Sequence, residues 1–183
     1  MKDATAYVCG LGFYEFSLNG EKVGDSEFAP LWSDYDKSVY YNTYDVTSQV
    51  KKGGNAIGVL LGNGFYNVQG GRYRKLQISF GAPTLRFRMV VNYEDGTSET
   101  IVSGKDWKYD FSPVLFNCIY GGEDYDARRE QKGWNMFGFK EQDWHPVVIQ
   151  EAPKGVLRPQ IAQPVKIMER YDIRKVTSSP LNR

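Results

Sequence analysis

Glu123, Asp124 and Asp126 stand close together in the chain, behind Gly121–Gly122 and ahead of Arg128 and Arg129. Two carboxylates flanking a glycosidic bond can serve as general acid and base. Positions two apart on a strand lie about 7 Å from each other, so the residue types and the reach are present. What the surrounding sequence lacks is a second subdomain to close over a substrate and dehydrate it. The same oxygens are of the kind that calcium takes, but the spacing is not that of an EF-hand loop. The glycines would let backbone approach a ligand, and Arg128 can pair with a carboxylate. The plainest role for these acids is to cap strands and neutralise the neighbouring arginines.

A second constellation is aromatic. Trp32-Ser33-Asp34-Tyr35 and Gly62-Asn63-Gly64-Phe65-Tyr66 mix rings with amides and acids in turn-rich surroundings. A pyranose packs its apolar C–H face on such rings while nearby polar groups take its hydroxyls. Trp32, Tyr35, Asn63 and Tyr66 are therefore candidate sugar contacts, beside Glu123, Asp124, Asp126 and Arg128. The structural alternative is that Trp32 and Phe65 close the ends of a core. Trp107, Trp134 and Trp144 read as core or interdomain packing. The single histidine, His145, precludes a His-rich zinc site and enters a strand-like stretch. No Walker loop, GxSxG, HExxH or CxxC pair is present, and Gly10-Leu11-Gly12 leads into strand-like residues as a turn.

The elements that must position these residues are strands. Leu85, Phe87, Met89, Val91 and Tyr93 alternate with Arg86, Arg88 and Asn92, the signature of a half-buried antiparallel strand. Asp95-Gly96 then turns the chain into a return strand over 98–102. Tyr14, Phe16 and Leu18 alternate in the same way before the Asn19-Gly20 turn. Val39–Thr43 is a short strand, and Asp45 or Thr47 caps one helical turn after it. Ala56–Leu61 reads as a strand buried on both faces, and 67–75 as a polar surface loop. Further strands are expected at Val114–Tyr120, Val147–Ile149 and Val165–Tyr171. No window carries a clean helical period. The expected fold is all-β, an antiparallel β-sandwich of jelly-roll or carbohydrate-binding-module type with little helix. Residues 1–175 form one domain, and 176–183 a linker towards a further domain.

Composition narrows the function. The 183 residues carry 23 Lys and Arg against 22 Asp and Glu, a net charge of +1, with 41 % hydrophobic and 15 % aromatic residues. That balance provides no basic footprint for a nucleic acid, so no such partner is expected. No apolar run is long enough to span a bilayer as a helix, and no signal peptide precedes Ala4, as though the native start lay upstream. Cys9 and Cys118 sit in apolar, strand-like contexts and read as buried free thiols, with a single disulfide as the alternative in an oxidising compartment.

Several phrases, in order, resemble one family. They are Gly12-Phe13-Tyr14-Glu15-Phe16-Ser17-Leu18-Asn19-Gly20, Ala29-Pro30-Leu31-Trp32-Ser33-Asp34-Tyr35, Tyr41-Asn42-Thr43-Tyr44-Asp45-Val46-Thr47, and 55–66 with its Gly62-Asn63-Gly64-Phe65-Tyr66 end. Gly122-Glu123-Asp124-Tyr125-Asp126-Ala127-Arg128 and Gly133-Trp134 follow. Together they resemble the N-terminal β-sandwich domain of bacterial α-L-rhamnosidases over roughly residues 4–171. The resemblance implies an isolated accessory fragment of a periplasmic or extracellular glycoside hydrolase that removes terminal L-rhamnose with inversion. Catalysis would belong to a downstream (α/α)6 barrel of the same polypeptide, so no catalytic residue is expected here. The resemblance adds Asn19 to the candidate contacts for a rhamnose-containing carbohydrate.

Some relatives of this kind hold rhamnose through calcium, for which Asn63 and Asp124 would be the nearest ligands; otherwise no cofactor is implied. Departures from the family pattern are Leu31 in place of a common glycine and Phe65 in place of a common tryptophan. Leu18 before Asn19 leaves no acidic neighbour for a metal there. Two further readings stand beside the accessory one: an independent rhamnose-binding module, and a small hydrolase using Glu123 and Asp126.

Overall fold

Ala4, Ala6 and Val8 point to one side of strand β1 (Asp3–Leu11) and are fully buried. The computed structural model, which describes residues 1–72 and 74–178, places this strand at the centre of a five-stranded sheet. Its neighbours are β9 (Thr84–Asn92) and β5 (Ser38–Asp45), both antiparallel to it, with Ala6 opposite Met89 on one side and Tyr44 on the other. β10 (Ser98–Val102) flanks β9. β15 (Val156–Pro159) flanks β5 and runs parallel to it, among the described residues the one departure from the antiparallel pairing expected.

The second layer is β2 (Phe13–Leu18) between β3 (Glu21–Lys22) and β6 (Ile57–Gly62). Tyr14, Phe16 and Leu18 face the first sheet and join Phe87, Met89 and Val91 of β9 in one core. The Phe16 and Phe87 rings, 5.4 Å apart and crossed at 67°, connect the two layers. Each such buried ring contributes about 2–3 kcal/mol through apolar area removed from water. The sheets thus form a β-sandwich.

Shorter ladders dress this body. β4 (Ser26–Glu27) pairs with β16 (Val165–Lys166), and β7 (Asn67–Val68) with β8 (Ile78–Ser79). β11 (Lys108–Tyr109) pairs with β14 (His145–Pro146), and β12 (Val114–Cys118) with β13 (Gly122–Tyr125). Helix is confined, among the described residues, to a 3-10 turn at Ala127–Arg129 capped by Asp126.

The turns follow their sequence chemistry. Asn19 and Gly20 both take positive φ, 55° and 87°, which suits a tight hairpin between β2 and β3. Gly96 does the same between β9 and β10, where Asp95 accepts from the Thr97 N–H. Asp45 accepts from the Thr47 N–H at 2.9 Å and starts a single helical turn, closed by N–H donation from Gln49 and Val50 to the Val46 carbonyl.

Several strand expectations need correction. β6 is not buried on both faces: Ile57, Val59 and Leu61 pack on the core, while Leu60 is 37 % exposed. The 67–75 stretch is not wholly a surface loop, since Asn67 and Val68 are buried and paired. Val148 and Ile149 are exposed and lie in no strand; the ladder is His145–Pro146 against Lys108–Tyr109, with one further N–H bond from Val147 to the Trp107 carbonyl. The strand expected over Val165–Tyr171 is limited to Val165–Lys166, since β4 is only two residues long. β12 ends at Cys118 rather than Tyr120, where the chain turns. Cys9 and Cys118 are both buried free thiols. Of the expected linker, residues 179–183 lie outside the described residues.

Candidate functional site

β2 and β6 are antiparallel, with Phe13 opposite Gly62 and Leu18 opposite Ile57. The bend at Gly12 and the loop 62–66 therefore meet at one end of the sandwich. They meet closely: a Cβ on Gly12, whose φ is +108°, would lie 2.2 Å from the Gly62 carbonyl oxygen. Glycine is required there both for the backbone conformation and for the approach.

This close contact presents a shelf of rings. The Phe65 ring lies 4.9 Å from Trp32 and nearly parallel to it, at 18°. Phe13 meets Phe65 edge-on at 6.1 Å, and Tyr120 meets it at the same distance from the β12–β13 turn. Phe28 packs on Phe13 at 5.4 Å. Trp32 and Phe28 remain 56 % and 58 % exposed, a large apolar surface to leave in water. Phe28 also holds a φ of +52°, a left-handed conformation costing a bulky side chain about 1–2 kcal/mol. Strain of this kind persists where surrounding structure enforces it, and it gathers at functional places. Sequence reading missed Phe13 and Phe28, because no local signal places either beside Phe65 and Trp32.

Tyr35 and Tyr66 are not on the shelf. They are buried behind it, with Tyr35 edge-on to Tyr66 at 5.0 Å and to Phe80 at 5.2 Å. The Tyr66 hydroxyl donates to the Phe80 carbonyl at 3.2 Å. Burial pushes the Tyr35 phenol up to about 12. With Cys9, Leu11 and Val39 these rings make a second apolar cluster on the outer side of β1. Burial likewise raises the Cys9 thiol to about 11, partly opposed by Arg86.

Asn63 is a tie between loops. Its N–H donates to Asn117 Oδ1 at 2.7 Å, its Nδ2 donates to the Asn117 carbonyl at 2.9 Å, and its Oδ1 accepts from Asn67 at 2.8 Å. These bonds fasten β12 to the shelf loop and so bring Tyr120 to Phe65. Asn19 lies at the opposite end of β2. Its Nδ2 donates to the Gln49 carbonyl at 3.0 Å and to Asn55 Oδ1 at 2.8 Å, and its Oδ1 accepts from the Ala56 N–H at 2.9 Å.

Most of the acids are engaged by neighbouring side chains. Asp124 accepts from Arg72, whose guanidinium lies 5.0 Å over the Phe116 ring. Asp126 receives Arg128 with both oxygens, at 2.8 and 2.7 Å, and these bonds hold its carboxyl below the usual range. Glu123, opposite Asn117 on β13, is exposed. Glu130 accepts from the Tyr125 hydroxyl. Of the two calcium candidates, Asn63 Oδ1 already accepts from Asn67 and Asp124 is paired through Oδ2 with Arg72. Among the described residues, no three or more His, Cys, Asp or Glu side chains converge as a metal site would need.

On the outer face of the three-stranded sheet, Asn135 donates to the Ser17 hydroxyl at 3.0 Å. Trp134 stacks on Trp144 at 28°, and Trp107 packs on Phe87 at 5.5 Å. These three tryptophans act in packing. They also line an open groove of about 520 Å³ with Met136, Phe137 and Phe139.

Residues 1–169 match the family described as the α-L-rhamnosidase N-terminal domain. This chain belongs to that family. As a rhamnosidase N-terminal domain it is 44 % identical over 146 residues to an α-L-rhamnosidase of Formosa agariphila, covering 78 % of this chain and 15 % of that protein. It is 40 % identical over 177 residues to an α-L-rhamnosidase of Streptomyces avermitilis, covering 95 % of this chain and 17 % of that protein. The crystal structure of the Streptomyces avermitilis α-L-rhamnosidase complexed with L-rhamnose superimposes with a TM-score of 0.86 at 39 % identity, over 96 % of this chain and 17 % of that one. The native enzyme of Aspergillus terreus gives 0.87 at 37 % identity, over 98 % of this chain and 21 % of that one. The domain thus spans 15–18 % of the length of the curated relatives it matches.

Proposed function

We propose that this domain is a non-catalytic accessory part of an α-L-rhamnosidase. It supports the catalytic portion of the same polypeptide and contributes to recognition of a rhamnose-containing carbohydrate. Cleavage of the rhamnoside, with inversion, falls to the remainder of that polypeptide. The observation that carries this reading is the state of the acids. Asp124 and Asp126, with side chains 48 % and 19 % exposed, are each paired with an arginine, and Glu130 is bonded to Tyr125. A general acid needs a desolvated setting that raises its pKa, whereas Asp126 is lowered.

The recognition half rests on the shelf. Trp32, backed by Phe65 and flanked by Phe28, offers an exposed ring surface on which the C–H face of a pyranose can stack. The shelf also favours a second reading, an independent sugar-binding module. Two measurements on this chain test both. An aryl α-L-rhamnoside is expected to remain unhydrolysed, and turnover abolished by Glu123→Gln would overturn the accessory reading. Titration with L-rhamnose, followed by NMR, is expected to shift the Trp32 indole N–H and to lose that shift in Trp32→Ala at an unchanged Tm. A millimolar or tighter isotherm selects the independent module, and no shift at all removes the recognition role.

A further inference from the structure

Tyr14 is buried between the sheets, yet its hydroxyl belongs to a chain of polar groups that leads outward. It donates to Asn42 Oδ1 at 2.9 Å and lies 3.0 Å from the Tyr44 hydroxyl. An amide oxygen only accepts, so the single Tyr14 proton goes to Asn42 and Tyr44 donates to Tyr14. Ser26 is hydrogen-bonded to the Tyr44 hydroxyl. With the Tyr44 proton already used, Ser26 is the donor of that bond. The direction of the relay is thereby fixed from Ser26 to Asn42, and its two ends differ. Ser26 Oγ retains its lone pairs as acceptors. The Asn42 Nδ2 group donates to no protein partner among the described residues.

Both ends belong to one pocket. Ser26 on β4, with Asn42 and Tyr44 on β5, lines a cavity of about 350 Å³ whose far wall is the stretch 159–164 after β15. Gln160 fixes that wall. Its N–H donates to the Tyr41 carbonyl, its Oε1 accepts from the Leu31 N–H at 2.9 Å, and its Nε2 donates to the Ala162 carbonyl at 3.2 Å. Asp25 is the one charged residue of the lining among the described residues, and it is paired with Lys166 at 2.7 Å. None of the shelf rings contributes to this pocket.

We infer that the pocket binds one neutral pyranose. A donor at one end of the relay and an acceptor at the other suit sugar hydroxyls, each of which both donates and accepts. Tyr41, Pro159 and Pro164 offer apolar surface for the C–H face of the ring. The pairing of Asp25 with Lys166 leaves no bare charge to select an anion or a cation. The volume is near the lower end of the roughly 300–1,000 Å³ of ligand pockets, which suits a single ring better than a chain. The inference goes beyond the accessory reading and holds whether or not the shelf meets rhamnose.

NMR titration of this chain with L-rhamnose, D-galactose and sodium phosphate tests it, read at the backbone amides of Ser26 and Thr43. A saturable shift is expected with at least one of the two sugars, with a Kd of about 1–10 mM for so small a ligand, and none with phosphate. Asn42→Asp keeps the acceptor for Tyr14 and removes the donor, and Ser26→Ala removes the other end. Each is expected to weaken the sugar about ten-fold or more at an unchanged Tm, and if one of them fails to fold the other decides. Trp32→Ala is expected to leave the response intact. No saturable shift with either sugar overturns the inference, as does full-strength binding in the folded variants or an equal response to phosphate. Loss of the response in Trp32→Ala also overturns it, because the sugar would then sit on the shelf. A Trp32 indole that stays silent while Ser26 and Thr43 respond removes the shelf's role in recognition and leaves the pocket standing.

Discussion

Asn19→Ala separates a structural amide from a sugar ligand. The wild-type side chain makes three hydrogen bonds to residues 49, 55 and 56, between 2.8 and 3.0 Å. At about 1 kcal/mol net for each, their loss costs about 3 kcal/mol. Asn19 also holds φ at +55°, where alanine is less favourable than asparagine by about 1–2 kcal/mol. The substitution should therefore destabilise the domain by about 4–5 kcal/mol, a large share of the 5–15 kcal/mol typical of a folded domain. Asn19→Gly removes the bonds but not the φ tolerance, so it should be milder by about 1 kcal/mol. Asn19→Asp keeps the acceptor for the Ala56 N–H and should fall between the unmutated chain and the alanine variant. Urea denaturation followed by tryptophan fluorescence measures all three, and an L-rhamnose titration at low temperature checks that the folded fraction still meets the sugar. The reasoning fails if Asn19→Ala lies within about 1 kcal/mol of the unmutated chain. It also fails if the variant keeps its midpoint and loses the sugar response.

Phe16→Ala should cost about 3–5 kcal/mol by opening a cavity between the sheets against Phe87, read as a lower urea midpoint. Gly58→Ala would place a Cβ 2.6 Å from the Asn135 Cβ and 2.8 Å from the Trp134 ring, so the 131–144 cover should lift and the near-UV circular dichroism of the tryptophans should weaken. Stability should also fall in alkali. Burial raises Cys9 to about 11 and Tyr35 to about 12, and raises Tyr14 and Tyr44 as well. Their neutral forms belong to the native state, so the contribution is complete below pH 9 and is lost between the unfolded values, 9.0 for the thiol and 10.0 for the phenols, and the raised ones. A slope of about 1.4 kcal/mol per pH unit per group is expected in thermal melts taken upward from pH 9. Calcium should leave Tm unchanged, since Asn63 and Asp124 are otherwise engaged; a rise on titration with calcium chloride would contradict that.

The fold was legible where one strand face decides everything. Leu85–Tyr93, its Asp95-Gly96 turn and the Tyr14–Leu18 hairpin carry their own alternation and turn chemistry, and they fold as read. The aliphatic run 57–61 misled because burial on one face and mere hydrophobicity on the other look alike in sequence. Trp32 and Phe65 could be picked out by composition, and they do meet. Apart from Asn67, the partners that fasten Asn19 and Asn63 lie 30–54 residues away, so little that is local distinguishes a committed amide from an available one. Phe13 and Phe28 join the shelf only because the Gly12 bend and a strained backbone place them there.

The parallel pairing of β15 with β5 has a consequence for biogenesis. Ser38 meets Val156 across that pair, so one border of the main sheet waits on a partner more than a hundred positions downstream. While the intervening stretch is still being synthesised, β5 presents bare amides and carbonyls on that border. Closing so distant a pair is slow, and an unpaired border invites association with other nascent chains. Truncation before Val156 should therefore yield a polypeptide that retains its inner core yet precipitates on expression.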